Sequence, residues 1–92
     1  MRILVTPTFE RTVKKLHKQQ KRALDEAVLT IASQPDLGKT KVGDLAGVQV
    51  YTFRIDGLLC LLAYRVLDEN RLKLLMVGPH ENFYRDLKRL DS

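Results

Sequence analysis

The sequence predicts an α+β domain in which a helical hairpin packs on a small antiparallel sheet, in the order β-α-α-β-β-β-α. Two patterns support this prediction. Apolar residues recur at helical spacing in the first part of the chain, and later residues form strand-length runs with Asp56-Gly57 between two of them. Ninety-two residues, 45% of them apolar, suffice for one small core, so a single domain spanning 1–92 is expected.

The N-terminal part is predicted to contain one strand and the helical hairpin. A short apolar run at residues 3–5 ends in Thr-Pro-Thr, which makes Thr8 the expected N-cap of the first helix. A break near residues 17–20 either separates two helices or bends one long helix, and Pro35 and Gly38 end the helical region. The apolar stripe comprises Phe9, Val13, Leu16, Leu24, Ala27, Val28, Ile31 and Ala32.

A loop and a β-hairpin are expected next. Residues 39–47 are polar and contain two glycines, which is typical of a loop. Side chains from 49 to 55 alternate between the two sides of a strand, and Asp56-Gly57 predicts a tight turn with positive φ.

The next strand should lie at the centre of the sheet. Residues 58–66 are almost continuously apolar, as expected where both faces of a strand are covered. Residues 68–70 turn the chain into a last strand at 72–77. Cys60, the only cysteine, is interpreted as a small core residue, so the sequence predicts no disulfide, no metal site and no cofactor.

The charge of the chain is clearly positive. Sixteen Lys and Arg residues against eleven Asp and Glu give a net charge of +5, and the sequence pI is about 9.6. A polyanionic partner, either a nucleic acid or an acidic protein segment, is therefore plausible. From Arg11 to Leu24 the chain has six basic residues and no acid, and the basic residues form either a solvated helix face or an approach surface for such a partner. These are Arg11, Lys14, Lys15, Lys18, Lys21 and Arg22.

No membrane segment is expected. The longest apolar run, residues 58–64, is far shorter than the roughly 20 residues of a membrane span. The apolar start of the chain is too short for a signal peptide, and the expected compartment is the cytoplasm.

The segment 78–89 carries most of the usable chemistry. If Pro79 lies at or just before a helix start, His80 and Tyr84 fall one turn apart on the same helix face. Nearby positive charge would suit a phosphate-containing substrate. It is supplied by Arg85, Lys88 and Arg89.

The order of elements, at this length, resembles the RelE/ParE superfamily of bacterial toxins over essentially the whole chain. The similar positions are Phe9, residues 14–16, 44–47, 62–66 and 78–84. The resemblance implies a cytoplasmic toxin neutralised by a cognate antitoxin that is expressed with it. A RelE-like member would be an endoribonuclease that cuts mRNA on the ribosome without a metal, whereas a ParE-like member would inhibit DNA gyrase.

The motifs favour different branches. RelE-type ribonucleases place Lys and Arg along the middle strands, where this chain has Val50, Thr52 and Leu61. The Gly-x-His-x-x-x-Tyr arrangement of residues 78–84, however, resembles members that use a C-terminal His with an aromatic residue four positions later.

Metal-free RNA cleavage needs a base for the 2′-hydroxyl, an acid for the leaving 5′-oxygen and cations around the phosphate. His80, Tyr84 and Arg65 are therefore the predicted catalytic residues. The predicted RNA-binding residues are Arg54, Arg85, Lys88 and Lys41. The alternative interpretations are structural: His80 as a helix N-terminal residue, Tyr84 packed beside Phe83, and solvated arginines at strand ends.

Overall fold

The computed structural model describes residues 1–91, which form three α-helices on a five-stranded sheet. The strands are β1 Arg2–Val5, β2 Lys39–Thr40, β3 Val48–Ile55, β4 Leu58–Asp68 and β5 Arg71–Pro79. The helices are α1 Pro7–Lys14, α2 Lys18–Ser33 and α3 Phe83–Asp91, and short 3-10 turns occur at Pro35–Leu37 and Gly43–Leu45. The predicted α+β class is confirmed, and so is the element order apart from the additional short strand β2.

The sheet is mixed, so the prediction of an antiparallel sheet is wrong for one strand pair. Its order is β1-β5-β4-β3-β2, and β1 runs parallel to β5, from Arg2 opposite Arg71 to Val5 opposite Leu74. All other neighbours are antiparallel. Sequence spacing could not fix the direction of β1, because its partner strand lies near the other end of the chain.

The polar segment 39–47 is not entirely a loop. Lys39 and Thr40 form β2, which pairs with β3 at the edge of the sheet. The predicted hairpin turn between β3 and β4 is confirmed, since φ is 51° at Asp56 and 80° at Gly57. Two residues make too short a run for alternation to be visible in the sequence, which explains why β2 was missed.

The central strand β4 is buried on both faces only in its middle part, although the apolar run 58–66 predicted burial along the whole strand. The exposed apolar residues of this run are Leu58, Leu59 and Val66. All side chains from 60 to 64 are buried, including that of Cys60. On one face Leu62 and Tyr64 pack beneath α1 and α2, and on the other Leu61 and Ala63 pack beneath α3. The helices therefore enclose two cores, one on each side of the sheet, whereas the composition led us to expect one small core.

Two separate helices form the hairpin, and its N-cap differs from the prediction. Thr6, not Thr8, caps α1: its Oγ1 accepts the N–H of Phe9 at 3.0 Å and donates to the carbonyl of Leu75 at 2.6 Å. Pro7 then occupies the first helical position, where its missing N–H costs no hydrogen bond. A break between two helices is confirmed, but it lies at residues 15–17, slightly earlier than the predicted 17–20, because α2 already begins at Lys18.

A buried tyrosine fixes the segment that follows α2. The Tyr64 hydroxyl accepts the N–H of Gly38 at 2.9 Å and donates to the carbonyl of Pro35 at 2.6 Å. A Cβ atom at Gly38 would lie 2.5 Å from this hydroxyl, so only glycine allows the close approach. Burial raises the pKa of the Tyr64 phenol, although the Gly38 N–H opposes the shift.

The solvent exposure of the basic side chains agrees with the charge pattern of the sequence. The six basic side chains between Arg11 and Arg22 are exposed, as required both for a solvated face and for an approach surface. In the part of the chain that the structure describes, no helix is long and apolar enough to cross a membrane.

Candidate active site at the start of the last helix

The predicted site residue His80 does not lie on a helix. Strand β5 continues to Pro79, whose missing N–H is tolerated at the strand end, and α3 begins only at Phe83. His80 therefore lies in the intervening turn, where its carbonyl accepts the N–H of Phe83 at 3.2 Å. Asn82 adopts a positive φ of 61° in this turn. The prediction that Pro79 starts the helix is wrong.

The turn nevertheless brings His80 against Tyr84. Their ring centroids are 6.0 Å apart and their planes meet at 79°, an edge-to-face arrangement. The imidazole of His80 is exposed, whereas the Tyr84 ring is half-buried and packs edge-to-face on Phe83 at 5.5 Å. Phe83 is 1% exposed and anchors α3 in the core. The site thus presents an accessible imidazole beside a fixed phenol.

Lys41 contacts the ring of Tyr84 from a different part of the chain. Its Nζ lies 4.8 Å from the centroid of the Tyr84 ring, within the range of a cation–π contact. Lys41 is half-buried and directly follows β2. The structure therefore brings together three of the predicted residues, His80, Tyr84 and Lys41.

Two further predicted cations lie on α3. Lys88 is exposed and one turn beyond Tyr84, so the two side chains occupy neighbouring positions on the helix surface. Arg85 is also exposed, and its Nε lies 3.6 Å from a carboxylate oxygen of Asp86. Lys88 thus adds a positive charge beside the group formed by His80, Tyr84 and Lys41.

Arg65 contacts the loop before β3. Its Nη1 donates to the carbonyl of Ala46 at 3.1 Å, and a Cβ atom at Gly47 would lie 2.6 Å from the same nitrogen. Gly47 also has a φ of +86°, a second reason for glycine at this position. Arg65 thus holds the loop that leads from the Lys41 segment into β3.

Arg54 lies at the hairpin. Its Nη1 donates to the carbonyl of Gly57 at 2.9 Å, and its side chain is exposed. Two of the uncharged strand positions singled out in the sequence, Val50 and Leu61, are buried beneath α3. Thr52 is exposed but uncharged.

One cation was missed by the sequence analysis. Lys73 lies directly opposite Arg65 in the pairing of β4 with β5 and is half-buried. The alternation along β5, with Leu72 and Leu74 in the core beneath α1 and α2, could have placed Lys73 on the α3 face. Among the described residues, no three His, Cys, Asp or Glu side chains are placed to share a metal ion.

A five-stranded mixed sheet with a helical hairpin on one face and a C-terminal helix on the other is the fold that this chain shares with solved structures of the RelE toxin. The chain belongs to the family of ParE-like toxins of type II bacterial toxin-antitoxin systems, whose family model matches residues 3–88. A toxin of this kind has a cognate antitoxin as its partner. No curated protein sequence matches the chain.

Solved structures of the E. coli toxin RelE show the same fold. The toxin-antitoxin complex RelBE is similar with a TM-score of 0.69 and 18% identity, covering 87% of this chain and 96% of that chain. The isolated RelE toxin gives a TM-score of 0.67 and 18% identity, covering 97% of each chain. A RelE double mutant with a peptide of its antitoxin gives 0.68 and 18%, covering 92% of this chain and 90% of that chain.

Proposed function

We propose that this toxin is a metal-independent endoribonuclease that cleaves mRNA at the ribosome. The observation that carries the proposal is the cluster in which Tyr84 contacts both the His80 ring and the Lys41 ammonium group. Metal-free phosphodiester cleavage needs a base, an acid and positive charge near the phosphate, and this cluster offers an imidazole, a phenol and an ammonium group for these roles.

The reaction begins when a base removes the proton from the ribose 2′-hydroxyl. The 2′-oxygen attacks the adjacent phosphorus, the bond to the 5′-oxygen breaks, and an acid protonates the leaving oxygen. The products are a 2′,3′-cyclic phosphate and a free 5′-hydroxyl. His80, the accessible imidazole, is assigned the proton transfer from or to one of these oxygens.

Tyr84 supports this step in one of two ways. Its hydroxyl can donate a hydrogen bond or a proton to the phosphate, or its ring can stack on a base. The ring is half-buried between Phe83 and Lys41, so its position is set before RNA binds. Lys41 and Lys88 then offset the negative charge that develops on the phosphate.

The arginines complete the proposed RNA contacts. A guanidinium has five N–H donors, so Arg65 can hold the Ala46 carbonyl and still bind a phosphate. Arg54 and Arg85, both exposed, are assigned to the RNA backbone farther along the surface.

A second candidate function is inhibition of DNA gyrase. It is supported by the match to ParE-like toxins and by the burial of Val50 and Leu61, at strand positions where the resemblance to RelE-type ribonucleases would imply cations. In that case the exposed basic face between Arg11 and Arg22 would be the working surface.

Two assays run with the same purified toxin separate these functions. One follows cleavage of an mRNA on programmed ribosomes, and the other follows supercoiling of plasmid DNA by gyrase. The proposal expects cut mRNA and unaffected supercoiling. Inhibited supercoiling with intact mRNA would overturn it. Expression without the antitoxin should arrest growth under both functions, so growth alone does not discriminate.

A further inference from the structure

A groove runs between α1 and the end of β5, and it reaches the turn that carries His80 without including His80 or Tyr84 in its walls. It consists of two cavities of about 390 and 430 Å³ that share Thr12, Val77, Gly78 and Pro79 in their walls. The first extends toward the β3–β4 turn, and the second extends toward the start of α3. We call this combined feature the α1 groove.

The walls of the α1 groove are mainly apolar. Leu58, at the hairpin, is 70% exposed, which is unusual for a leucine beside a cavity. A partner that covered this side chain would gain from the removal of apolar surface from water. The other apolar side chains in the walls are Leu16, Ile55, Cys60, Met76, Val77, Pro79 and Phe83.

The charge of the groove is opposite to that of the chain as a whole. Three carboxylates, those of Asp56, Glu81 and Asp86, lie in its walls, and none of the lining residues is Lys, Arg or His. All three are exposed. On a chain with a net charge of +5, this is a local region of negative charge.

The three carboxylates remain available to a partner. Asp56 accepts one hydrogen bond, at 3.3 Å, from the neutral side-chain amide of Gln20. Asp86 lies 3.6 Å from the exposed Arg85, a distance typical of a weak surface ion pair. A cationic side chain entering the groove would therefore meet Asp86, already in a weak ion pair, at one end and Asp56, which accepts from a neutral amide, at the other end.

We infer that the α1 groove binds a segment of the cognate antitoxin that carries bulky apolar side chains and at least one Lys or Arg. Charge complementarity selects this occupant, because an acidic segment would be repelled by the three carboxylates. The exposed basic residues between Arg11 and Arg22 would instead attract negatively charged partners, so that surface stays available for a polyanion. The inference needs only the antitoxin, and it holds whether the toxin cleaves RNA or inhibits gyrase.

Whether the antitoxin occupies the groove can be tested by substituting Gly78, which lines both cavities. A Cβ atom built there meets no atom within 4 Å, and the backbone is not in the positive-φ region. Gly78→Leu should therefore fold and fill the groove. Thr12→Leu, at the opposite wall, provides a second variant if the first loses stability.

The charge of the occupant can be tested by a double reversal, Glu81→Lys with Asp86→Lys. Glu69→Lys is the matched control, since Glu69 is exposed in the β4–β5 turn and does not line the groove. The dissociation constant of the purified antitoxin is measured for each full-length toxin variant, with thermal unfolding as a folding check.

The groove-filling variant and the double reversal should each weaken antitoxin binding by about tenfold or more, a typical loss for one buried contact or charge pair. Glu69→Lys should bind as the wild type does. The inference is overturned if folded Gly78→Leu and Thr12→Leu bind normally, or if the double reversal tightens binding, which would indicate an acidic segment. Neither result bears on RNA cleavage, which is measured separately.

Discussion

The ammonium group of Lys41 lies over the ring of Tyr84, with Nζ 4.8 Å from the ring centroid, and so links the segment after β2 to α3. The edge-to-face contact with His80 is made by the same ring. Lys41 is thus a positioning residue for the phenol as well as a source of positive charge. This contact joins residues far apart in the sequence.

Lys41→Met should reduce mRNA cleavage by about 2- to 30-fold, which corresponds to the usual worth of a cation–π contact. Lys41→Arg should retain most of the rate, because a guanidinium also stacks on aromatic rings. Single-turnover cleavage rates at saturating RNA measure the effect on the chemical step. Equal rates for Lys41→Met and the wild type would show that the contact has no role in positioning.

Tyr84→Phe separates the two roles of this residue. It keeps the ring that contacts Phe83, His80 and Lys41 and removes only the hydroxyl. A loss of about 10²-fold is expected if the phenol transfers a proton, the usual size for an acid-base group. A loss below about threefold would instead assign stacking, for which the intact ring suffices. The cleavage rate is the measurement, and the unfolding temperature is the control.

Arg65→Ala should lower both stability and cleavage. The variant loses the hydrogen bond to the Ala46 carbonyl and the contact with Gly47, so the loop before β3 should loosen. A charge-assisted contact with phosphate is worth about 1.5 to 3 kcal/mol, which predicts roughly 10- to 150-fold weaker RNA binding. Chemical denaturation and RNA titration separate the two effects. Unchanged RNA affinity with reduced stability would leave Arg65 a purely structural role.

The buried phenol of Tyr64 should make stability depend on alkaline pH. Its pKa is raised in the folded protein, so the folded state favours the neutral phenol, and this contribution is complete below the ordinary tyrosine value of about 10. It is lost as the pH rises through the raised pKa. The free energy of unfolding should therefore fall above pH 10.

Tyr64→Phe is the matched variant for this prediction. At neutral pH it should cost about 1 to 3 kcal/mol, because the Gly38 N–H and the Pro35 carbonyl lose their partner. The difference in unfolding free energy between wild type and variant should shrink as the pH rises above 10. Denaturation at several pH values measures it, and a constant difference would contradict the assignment.

The parts of the fold that depend on residues close together in the sequence could be predicted from it. The turn at Asp56-Gly57 follows from local φ preferences, and the central place of β4 follows from its uninterrupted apolar run. The parallel pairing of β1 could not be predicted, because it depends on contacts between the two ends of the chain.

The candidate site likewise combines local features that could be predicted from the sequence with tertiary contacts that could not. The four-residue spacing of His80 and Tyr84 correctly placed the rings together, although a turn with Asn82 at positive φ, not a helix, produces the contact. The approach of Lys41 depends on where β2 pairs with β3, and no local pattern encodes that. The bond from Arg65 to the Ala46 carbonyl is likewise a tertiary contact.

The central claim is that this toxin cuts mRNA with His80 moving a proton, and its most direct test is a map of transcript 5′ ends. The wild type and His80→Ala are induced briefly, at equal soluble levels, in cells that lack the antitoxin. The account predicts new 5′-hydroxyl ends within coding regions for the wild type and about 10²-fold fewer for His80→Ala. Growth arrest by the wild type with DNA damage and no new transcript ends would contradict it.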